Sequence, residues 1–263
     1  MAHRAYFLGM MLLLCSAAPA RERCAAEAKL LVSPSEVQKS VVALHAERES
    51  RGQVYLFDTE GLELYSQGAI LRLRTGTKAD LTVKLRSEEV TTSQVGDISK
   101  CEVDLVGSTA LTSLSLSNSW KGQSIPQTGE ALHQVLSAAQ LRLLAAARIS
   151  VDWQRIKRIV QIQATAWEVR TEGPLKKVAL ELWEWPGGKI LELSSKSDLQ
   201  RATSTMGQLR ELAAASGLVA NTSQQPKTSV VLHAIMDYPG ERHEGNTARS
   251  IRPGHRFEFI SNV

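Results

Sequence analysis

Hydrophobic and polar residues alternate along several segments in the first half of the chain. The segments are 54–57, 70–74, 81–86 and 100–106, and in the last three, leucine or valine positions are separated by charged residues. Alternate residues of a β-strand point to the same face of a sheet. Each segment is therefore predicted to be a strand, with any charged side chains on one face. Further strands are predicted at 24–32, 149–153, 159–163, 167–170, 178–185 and 190–196.

Three other segments have apolar residues at intervals of three and four, which is typical of helices that pack on a sheet. The first is predicted at 34–49, after a serine N-cap and with a proline at its first position. The others are predicted at 129–147 and from Ser197 to Gly217. The stretch 108–128 is rich in serine and threonine and is predicted to connect two elements.

The composition is that of a globular protein with one hydrophobic core. The chain has 263 residues, of which 43% are hydrophobic and 22% charged, so it belongs to neither the disordered nor the membrane class. Its formal net charge of +4 gives no reason to expect a nucleic-acid partner. One domain is predicted at 21–235, followed by a charged, turn-rich and flexible tail at 236–263.

The first twenty residues have the features of a secretory signal peptide. Arg4 supplies the positive charge, residues 5–16 are apolar, and residues 18–20 form a small-x-small cleavage site. The apolar run is shorter than the roughly 18 residues of a membrane-spanning helix. An uncleaved anchor and a lipid anchor at Cys15 are the alternatives. The sequence thus predicts a periplasmic or secreted protein without membrane attachment after cleavage.

The mature chain would keep two cysteines, Cys24 and Cys101. In an oxidising compartment such a pair can form a disulfide. Strand parity places each cysteine on the face opposite to the charged residues of its strand, so the two could pair if the strands are neighbours. The alternative is two unrelated small apolar side chains in the core.

The charged strand faces could together line a closed barrel. Burying unpaired cations costs several kcal/mol per ion, so such a lining implies water, carboxylates and an anionic ligand. Arginine and lysine suit phosphate oxygens, and carboxylates suit a hard cation such as Mg²⁺ or Mn²⁺. An open sheet with one wet face gives the same alternation, so periodicity alone does not decide between the two arrangements.

Several motifs resemble those of the CYTH family, which includes thiamine triphosphatases, inorganic triphosphatases and small adenylyl cyclases. The most specific stretch contains Tyr55-x-Phe57-Asp58-Thr59 and Leu71-Arg72-Leu73-Arg74. Weaker similarities are Thr82-x-Lys84, Lys100-x-Glu102-x-Asp104, and the closing strand at 190–196 followed by a helix and Pro226-Lys227. The resemblance covers about residues 25–230. It implies an α+β fold: a closed antiparallel eight-stranded barrel, the triphosphate tunnel, with flanking helices.

The same resemblance implies a binding site inside the tunnel. The predicted phosphate ligands are Lys29, Arg72, Arg74, Lys84, Lys100 and Lys196, to which strand alternation adds Arg86; Arg158 is a further candidate. The predicted metal ligands, for Mg²⁺ or Mn²⁺, are Glu27, Glu102, Asp104 and Glu192. Two departures weaken the predicted metal site, because the family's opening E-x-E-x-K is Ala25-x-Glu27-x-Lys29 here and a closing acid is Ser194.

Two functions fit these features. The first is a metal-dependent hydrolase that acts on a triphosphate or polyphosphate. The second is a non-catalytic exported protein that binds polyanions and whose metal site is eroded. An adenylyl cyclase is the least expected, because nucleoside triphosphates are scarce outside the cell. Both main hypotheses predict a small anionic ligand.

Overall fold

The protein contains a closed β-barrel that is covered by helices. The computed structural model describes residues 24–86 and 100–237, except Gln123 and Lys176. The predicted signal peptide at 1–20 lies outside the described residues, and so does the predicted tail beyond Asp237. None of the helices in the described part of the chain has the length and apolar character needed to cross a membrane.

Nine strands form the barrel: β1 (Ala25–Val32), β2 (Ala46–Asp58), β3 (Ala69–Arg74), β4 (Asp80–Arg86), β5 (Lys100–Val106), β6 (Thr109–Ser119), β7 (Lys157–Val169), β8 (Val178–Trp185) and β9 (Gly188–Asp198). Their spatial order is β1-β5-β6-β4-β3-β2-β7-β8-β9, and pairing of β9 with β1 closes the barrel. Neighbouring strands are antiparallel except β1 and β5, which are parallel. The predicted α+β class and closed barrel are confirmed, whereas the prediction of eight strands, all antiparallel, is wrong.

The additional strand is β6, which lies where the sequence predicts a connection. Serines suggest a turn, but here they alternate with leucines, and Leu114 is fully buried. The strand predicted at 149–153 is wrong, because these residues form an irregular segment that leads into a turn, and their apolar side chains pack against the barrel. The two strands predicted at 159–163 and 167–170 are one strand, β7, since its partner β2 continues alongside both.

The described residues contain six α-helices: α1 (Val37–Ala43), α2 (Glu63–Ser66), α3 (Gly129–Val135), α4 (Ala138–Ala146), α5 (Ala202–Ala215) and α6 (Lys227–Asp237). The helix predicted at 34–49 begins with a 3-10 turn and ends at Ala43. It stops there because His45 has a positive φ of 48°, which reverses the chain into β2.

The helix predicted at 129–147 is divided into α3 and α4. Leu136 has an extended backbone, with φ −71° and ψ 138°. Ser137 then begins the second helix with a capping box, in which its side chain accepts from the Gln140 backbone while the Gln140 side chain accepts from the Ser137 backbone N–H. The local capping chemistry therefore overrides the continuous apolar stripe.

Two apolar clusters lie between the helices and the outer face of the barrel. Met206 and Leu209 of α5 pack on Leu180, Leu193 and neighbouring residues. A second cluster joins α3 and α4 to the outward side chains of β3 and β4. Burial of these side chains stabilises each by roughly 1.5–3 kcal/mol relative to exposure, so the helices hold the barrel from outside.

A third apolar cluster connects the inside of the barrel to α6. Val231 and Leu232 of α6 share this cluster with Leu56, Ile162 and Trp183 from three strands. Helix α6 therefore lies against one end of the space that the strands enclose, called the lumen below. The sequence did not predict this helix, and the tail predicted from residue 236 begins within its last turn.

A disulfide joins the two parallel strands. Cys24, directly before β1, is bonded to Cys101 on β5, with their Cα atoms 4.7 Å apart. Glu27 and Asp104 are register partners on the same two strands. Each cysteine is three residues before the acid of its own strand, and residues an odd number of positions apart point to opposite faces of a sheet. The covalent link therefore lies on the other face from the charged residues.

Candidate functional site

The charged side chains of the lumen come from alternate positions of six strands. Glu27 on β1 lies between Asp104 on β5 and Lys196 on β9. On the adjacent strands, Arg72 of β3 is opposite Thr82 of β4. Period-two alternation and this register bring the predicted residues of β1, β3, β4, β5 and β9 into one space.

Asp104 is the centre of one part of this network. Its side chain is 1% exposed, and its two oxygens accept hydrogen bonds from Lys29 Nζ at 2.6 Å and Lys84 Nζ at 2.7 Å. Burial alone would raise the pKa of Asp104, but the two ammonium groups hold it well below its usual range. Asp104 is therefore ionised at neutral pH.

The two lysines respond differently to the same carboxylate. Burial opposes the charged form of Lys29, but Asp104, Glu27 and Glu192 together raise its pKa above the usual value. For Lys84, burial is the largest effect and, with repulsion from Lys29 and Arg86, lowers the pKa to about 8. Lys84 is thus the less strongly held cation, and an added anion would stabilise its charge.

Three carboxylates could hold a cation together. Glu27, Glu102 and Asp104 each offer one oxygen, and these oxygens lie within 4.8 Å of one another. Hard divalent cations prefer such oxygen ligands. Glu192, the fourth predicted metal ligand, is paired with Lys227 instead, at 2.9 Å through Oε1, while its Oε2 is buried without a partner among the described residues.

Arg72 and Arg86 carry guanidinium groups whose hydrogen bonding is incomplete within the described residues. Arg72 Nε, Arg86 Nε and Arg86 Nη1 are buried and have no hydrogen-bond partner in the described part of the chain. Burial, followed by repulsion from Arg74, lowers the pKa of Arg72 to about 10. Because unpaired buried charge is costly, this arrangement indicates a site for an added anion.

The remaining predicted cations already have carboxylate partners. Arg74 forms a two-bond ion pair with Asp80. Lys100 Nζ is 2.9 Å from Glu102, and Lys196 Nζ is 3.7 Å from the same carboxylate. The side chains of Lys100 and Lys196 are half-exposed, at 53% and 55%, so they are the lumen residues most accessible to water.

Two residues of the network, Lys227 and Glu181, were not among the predicted ligands, although Lys227 belongs to a motif that the family resemblance included. Lys227 at the start of α6 forms ion pairs with Glu181 of β8 and Glu192 of β9, and its Nζ lies 4.7 Å from the centre of the Trp183 ring. Burial would raise the pKa of Glu181, but Lys227 lowers it to about 2. The available signal for Glu181 was that it is the one charged residue among the inward positions of β8, which are otherwise Ala179, Trp183 and Trp185.

Arg158, the additional candidate for a phosphate ligand, does not lie in the lumen. Its guanidinium lies over the Tyr55 ring, 5.7 Å from the ring centre, and Tyr55 belongs to the outer apolar cluster. The bulge between Leu56 and Phe57 in the pairing of β2 with β7 shifts the register next to this position.

A cavity of about 50 Å³, partly open to solvent, lies beside this network. Its charged lining consists of five cations, Lys29, Arg72, Lys84, Arg86 and Lys227, and two carboxylates, Asp104 and Glu192. Five positive and two negative groups give the lining a formal charge of +3. The cavity is therefore suited to a small, multiply charged anion.

Comparison with solved structures identifies the fold. Over 78% of this chain and 93% of the other, the barrel superposes with a TM-score of 0.53 and 19% identity on HpAC1 from Hippeastrum, a candidate adenylyl cyclase with a dominant triphosphatase activity. A candidate adenylate cyclase from Bacillus halodurans gives a TM-score of 0.49 at 16% identity, over 77% and 92% of the two chains. The first of these superpositions shows that the chain has the fold of CYTH-type, triphosphate-tunnel proteins. No protein-family model and no curated protein sequence matches it.

Proposed function

We propose that this protein binds a linear triphosphate or polyphosphate in its lumen and hydrolyses it with the help of a divalent cation. The observation that carries the proposal is a set of three buried guanidinium nitrogens, in Arg72 and Arg86, that have no hydrogen-bond partner among the described residues. A phosphate chain would supply the missing negative charge and several hydrogen-bond acceptors at once.

The cations of the cavity would act as an electrostatic clamp. Arg72 and Arg86 can each offer two parallel N–H groups to phosphoryl oxygens, while Lys84 contributes a point charge. Together they would neutralise the charge that develops on the oxygens when water cleaves a phosphoanhydride bond, which is the main requirement of phosphoryl transfer. The closed strands fix the backbone positions from which these side chains reach the cavity.

The carboxylate group of Glu27, Glu102 and Asp104 fits a hard cation, because its oxygens converge within 4.8 Å. We propose Mg²⁺ or Mn²⁺ as the ion. Such an ion would neutralise phosphate charge and polarise the phosphoryl group. Lys29 and Lys84 now occupy the two oxygens of Asp104, so these lysines would have to turn from Asp104 toward the phosphate when the ion binds.

Phosphate release tests the proposal. Purified full-length protein would be incubated with tripolyphosphate, with and without Mg²⁺ or Mn²⁺, and binding would be measured in parallel by calorimetry. Arg72→Ala is expected to lose binding, and the matched control Arg210→Ala, on the exposed face of α5, is expected to retain it. Equal affinity of parent and Arg72→Ala would rule out the lumen as the binding site.

A non-catalytic polyanion-binding protein is the second candidate. It is favoured by the pairing of Asp104 with two lysines and of Glu102 with Lys100, which competes with metal binding. The absence of acids at Ala25 and Ser194 points in the same direction. Tripolyphosphate binding without metal-stimulated phosphate release would support this candidate over the hydrolase.

We also propose that the protein is exported and that residues 1–20 are removed. The support is the signal-like sequence together with the bond between Cys24 and Cys101, since disulfides persist mainly in oxidising compartments. N-terminal sequencing of the mature protein from cell fractions tests the proposal, and an intact Met1 in the cytosolic fraction would contradict it.

A further inference from the structure

Strand β1 is held less firmly to β5 than to its other neighbour. Five residue pairs join β1 to β5, whereas eight join β1 to β9. The pairing with β5 is parallel, which is slightly less stable per residue than the antiparallel pairing with β9. The contact between β1 and β5 is called the seam below. If the seam loosened, β1 would stay with β9 and move away from β5.

Two acids face each other across the seam. Glu27 of β1 is the register partner of Asp104 of β5, and like charges directly opposite each other destabilise a sheet. Lys29 offsets this repulsion, because its Nζ lies 3.1 Å from Glu27 Oε2 and 2.6 Å from Asp104 Oδ1. When Lys29 turns toward a phosphate, as proposed above, the seam loses this bridge, so another link has to hold the two acids together.

The disulfide supplies such a link at one end of the seam. Cys24 and Cys101 stand directly before the first register pair of β1 and β5, and their Cα atoms are 4.7 Å apart. Each cysteine is three residues from the acid of its own strand, which is about 10 Å of extended chain. The bond therefore limits the distance between Glu27 and Asp104 from the opposite face of the sheet, without entering the lumen.

The three carboxylates that could hold a cation depend on this seam. Their oxygens lie within 4.8 Å of one another, but they come from two strands: Glu102 and Asp104 belong to β5, and Glu27 belongs to β1. The separation of the two β5 acids is fixed within one strand, whereas Glu27 is placed only by the pairing of β1 with its neighbours. Groups that orient the ligands of a metal typically change its affinity by roughly 10–100-fold when they are removed.

We propose that the disulfide between Cys24 and Cys101 positions Glu27 against the two acids of β5, so that the affinity of the lumen for a divalent cation depends on this bond. The inference rests on the cation site of the proposed function and gives the disulfide a part in it beyond stability. The arginines that would hold the phosphate lie on β3 and β4, which do not take part in the seam. Loss of the bond should therefore weaken cation binding and spare binding of the anion.

Calorimetry with two probes, Mn²⁺ alone and tripolyphosphate without metal, tests the assignment on the full chain. Cys24→Ala with Cys101→Ala is expected to bind Mn²⁺ about tenfold more weakly than the parent, at the lower end of the range for a lost supporting group, and to keep its affinity for tripolyphosphate. The matched control is Leu180→Ala, which destabilises the fold from the outer apolar cluster and should bind both probes as the parent does.

A double-mutant cycle with Glu27→Gln separates positioning from general loosening. Because the bond acts through Glu27, removing both cysteines from Glu27→Gln should hardly weaken Mn²⁺ binding further, whereas independent effects would add. If the double-cysteine variant does not fold, reduction of the folded parent with a trialkylphosphine takes its place. The phosphine gives two electrons to the disulfide and, with water, becomes the phosphine oxide, while the sulfurs become two thiols. Thiol titration and circular dichroism then show that the bond is broken and the fold retained.

Several results would overturn the inference. Equal Mn²⁺ affinity with and without the disulfide would reject its positioning role and leave the proposed function intact. An equal loss for both probes, or additive effects in the cycle, would show that the bond only stiffens the barrel. A parent that binds tripolyphosphate but not Mn²⁺ would reject the cation site and favour the non-catalytic candidate. A parent that binds neither probe would reject the proposed function itself.

Discussion

Replacing Arg72 with methionine should stabilise the ligand-free protein and remove most of its affinity for tripolyphosphate. Arg72 Nε is buried without a hydrogen-bond partner among the described residues, so the fold carries the cost of a polar group that a bound anion could satisfy. Methionine has a similar length and no charge. An apolar residue of similar volume is often better tolerated than a buried ion.

The structure sets the size of both effects. The fall in the pKa of Arg72 from its usual value to about 10 corresponds to about 3 kcal/mol of unfavourable environment for the charged form. This is an upper limit for the gain in stability, because the residue is only partly buried. Loss of charged hydrogen bonds to a phosphate should weaken binding by about 2 kcal/mol, or about 30-fold.

Thermal unfolding with and without tripolyphosphate measures both quantities. One kcal/mol changes Tm by about 2–4 °C in a domain of this size, so Arg72→Met should unfold several degrees above the ligand-free parent. Excess tripolyphosphate should raise the Tm of the parent by mass action but hardly that of the variant. Arg210→Met, on the solvent-exposed face of α5, is the matched control. A variant that is less stable than the parent and still stabilised by ligand would refute the reasoning.

Three further predictions follow from other parts of the barrel. Replacing Cys24 and Cys101 by alanine should lower the free energy of unfolding by about 4 kcal/mol in the chain-entropy model, and urea unfolding that matches the parent's would contradict this. Ala25→Glu with Ser194→Glu should tighten Mn²⁺ binding by about tenfold; unchanged calorimetric titrations would place both positions away from the ion. Because the pKa of Glu181 falls from 4.5 to about 2 on folding, its contribution, about 3 kcal/mol, should be present above pH 4.5 and lost toward pH 2. The stability difference between the parent and Glu181→Gln should therefore shrink over that range in pH-dependent unfolding, and a constant difference would contradict the assignment.

The charged strands could be predicted because alternation is a local signal. Strands β3, β4 and β5 lie within one residue of their predicted bounds, since leucine and charged residues alternate without interruption. The prediction that the barrel is closed depended on the family resemblance, because an open sheet has the same alternation. The direction of β1 against β5 could not be predicted, since it depends on contacts between residues 77 positions apart.

Some motif residues turned out to stabilise local structure. Asp58, in the most specific motif, accepts hydrogen bonds from the backbone N–H groups of Thr59, Leu64 and Tyr65. It therefore holds the start of α2 at the end of β2 and takes no part in the lumen. Sequence similarity alone does not separate such a capping acid from a ligand, because both are buried carboxylates.

Lys227 shows the opposite case, a residue of the lumen whose position could not be predicted from the sequence. Its resemblance to a trailing basic residue could be noted, but its place in the lumen depends on α6 packing through Val231 and Leu232 against the interior of the barrel. Helix α6 has few local signals beyond Pro226 at its start. Its position is decided by tertiary packing, which cannot be predicted from the pattern of the helix's own 11 residues.

The placement of β1 has a consequence for the order in which the chain folds. This first strand pairs only with β5 and β9, and β9 is the last strand of the barrel. During synthesis one edge of β1 stays unpaired until β5 has been made, and the other stays unpaired until β9 has been made, when the rest of the barrel already exists. Such long-range closure is intrinsically slow, and exposed strand edges favour aggregation meanwhile. The lumen, with its convergent charges, is consequently assembled in the final steps of folding, after the local hairpins have formed.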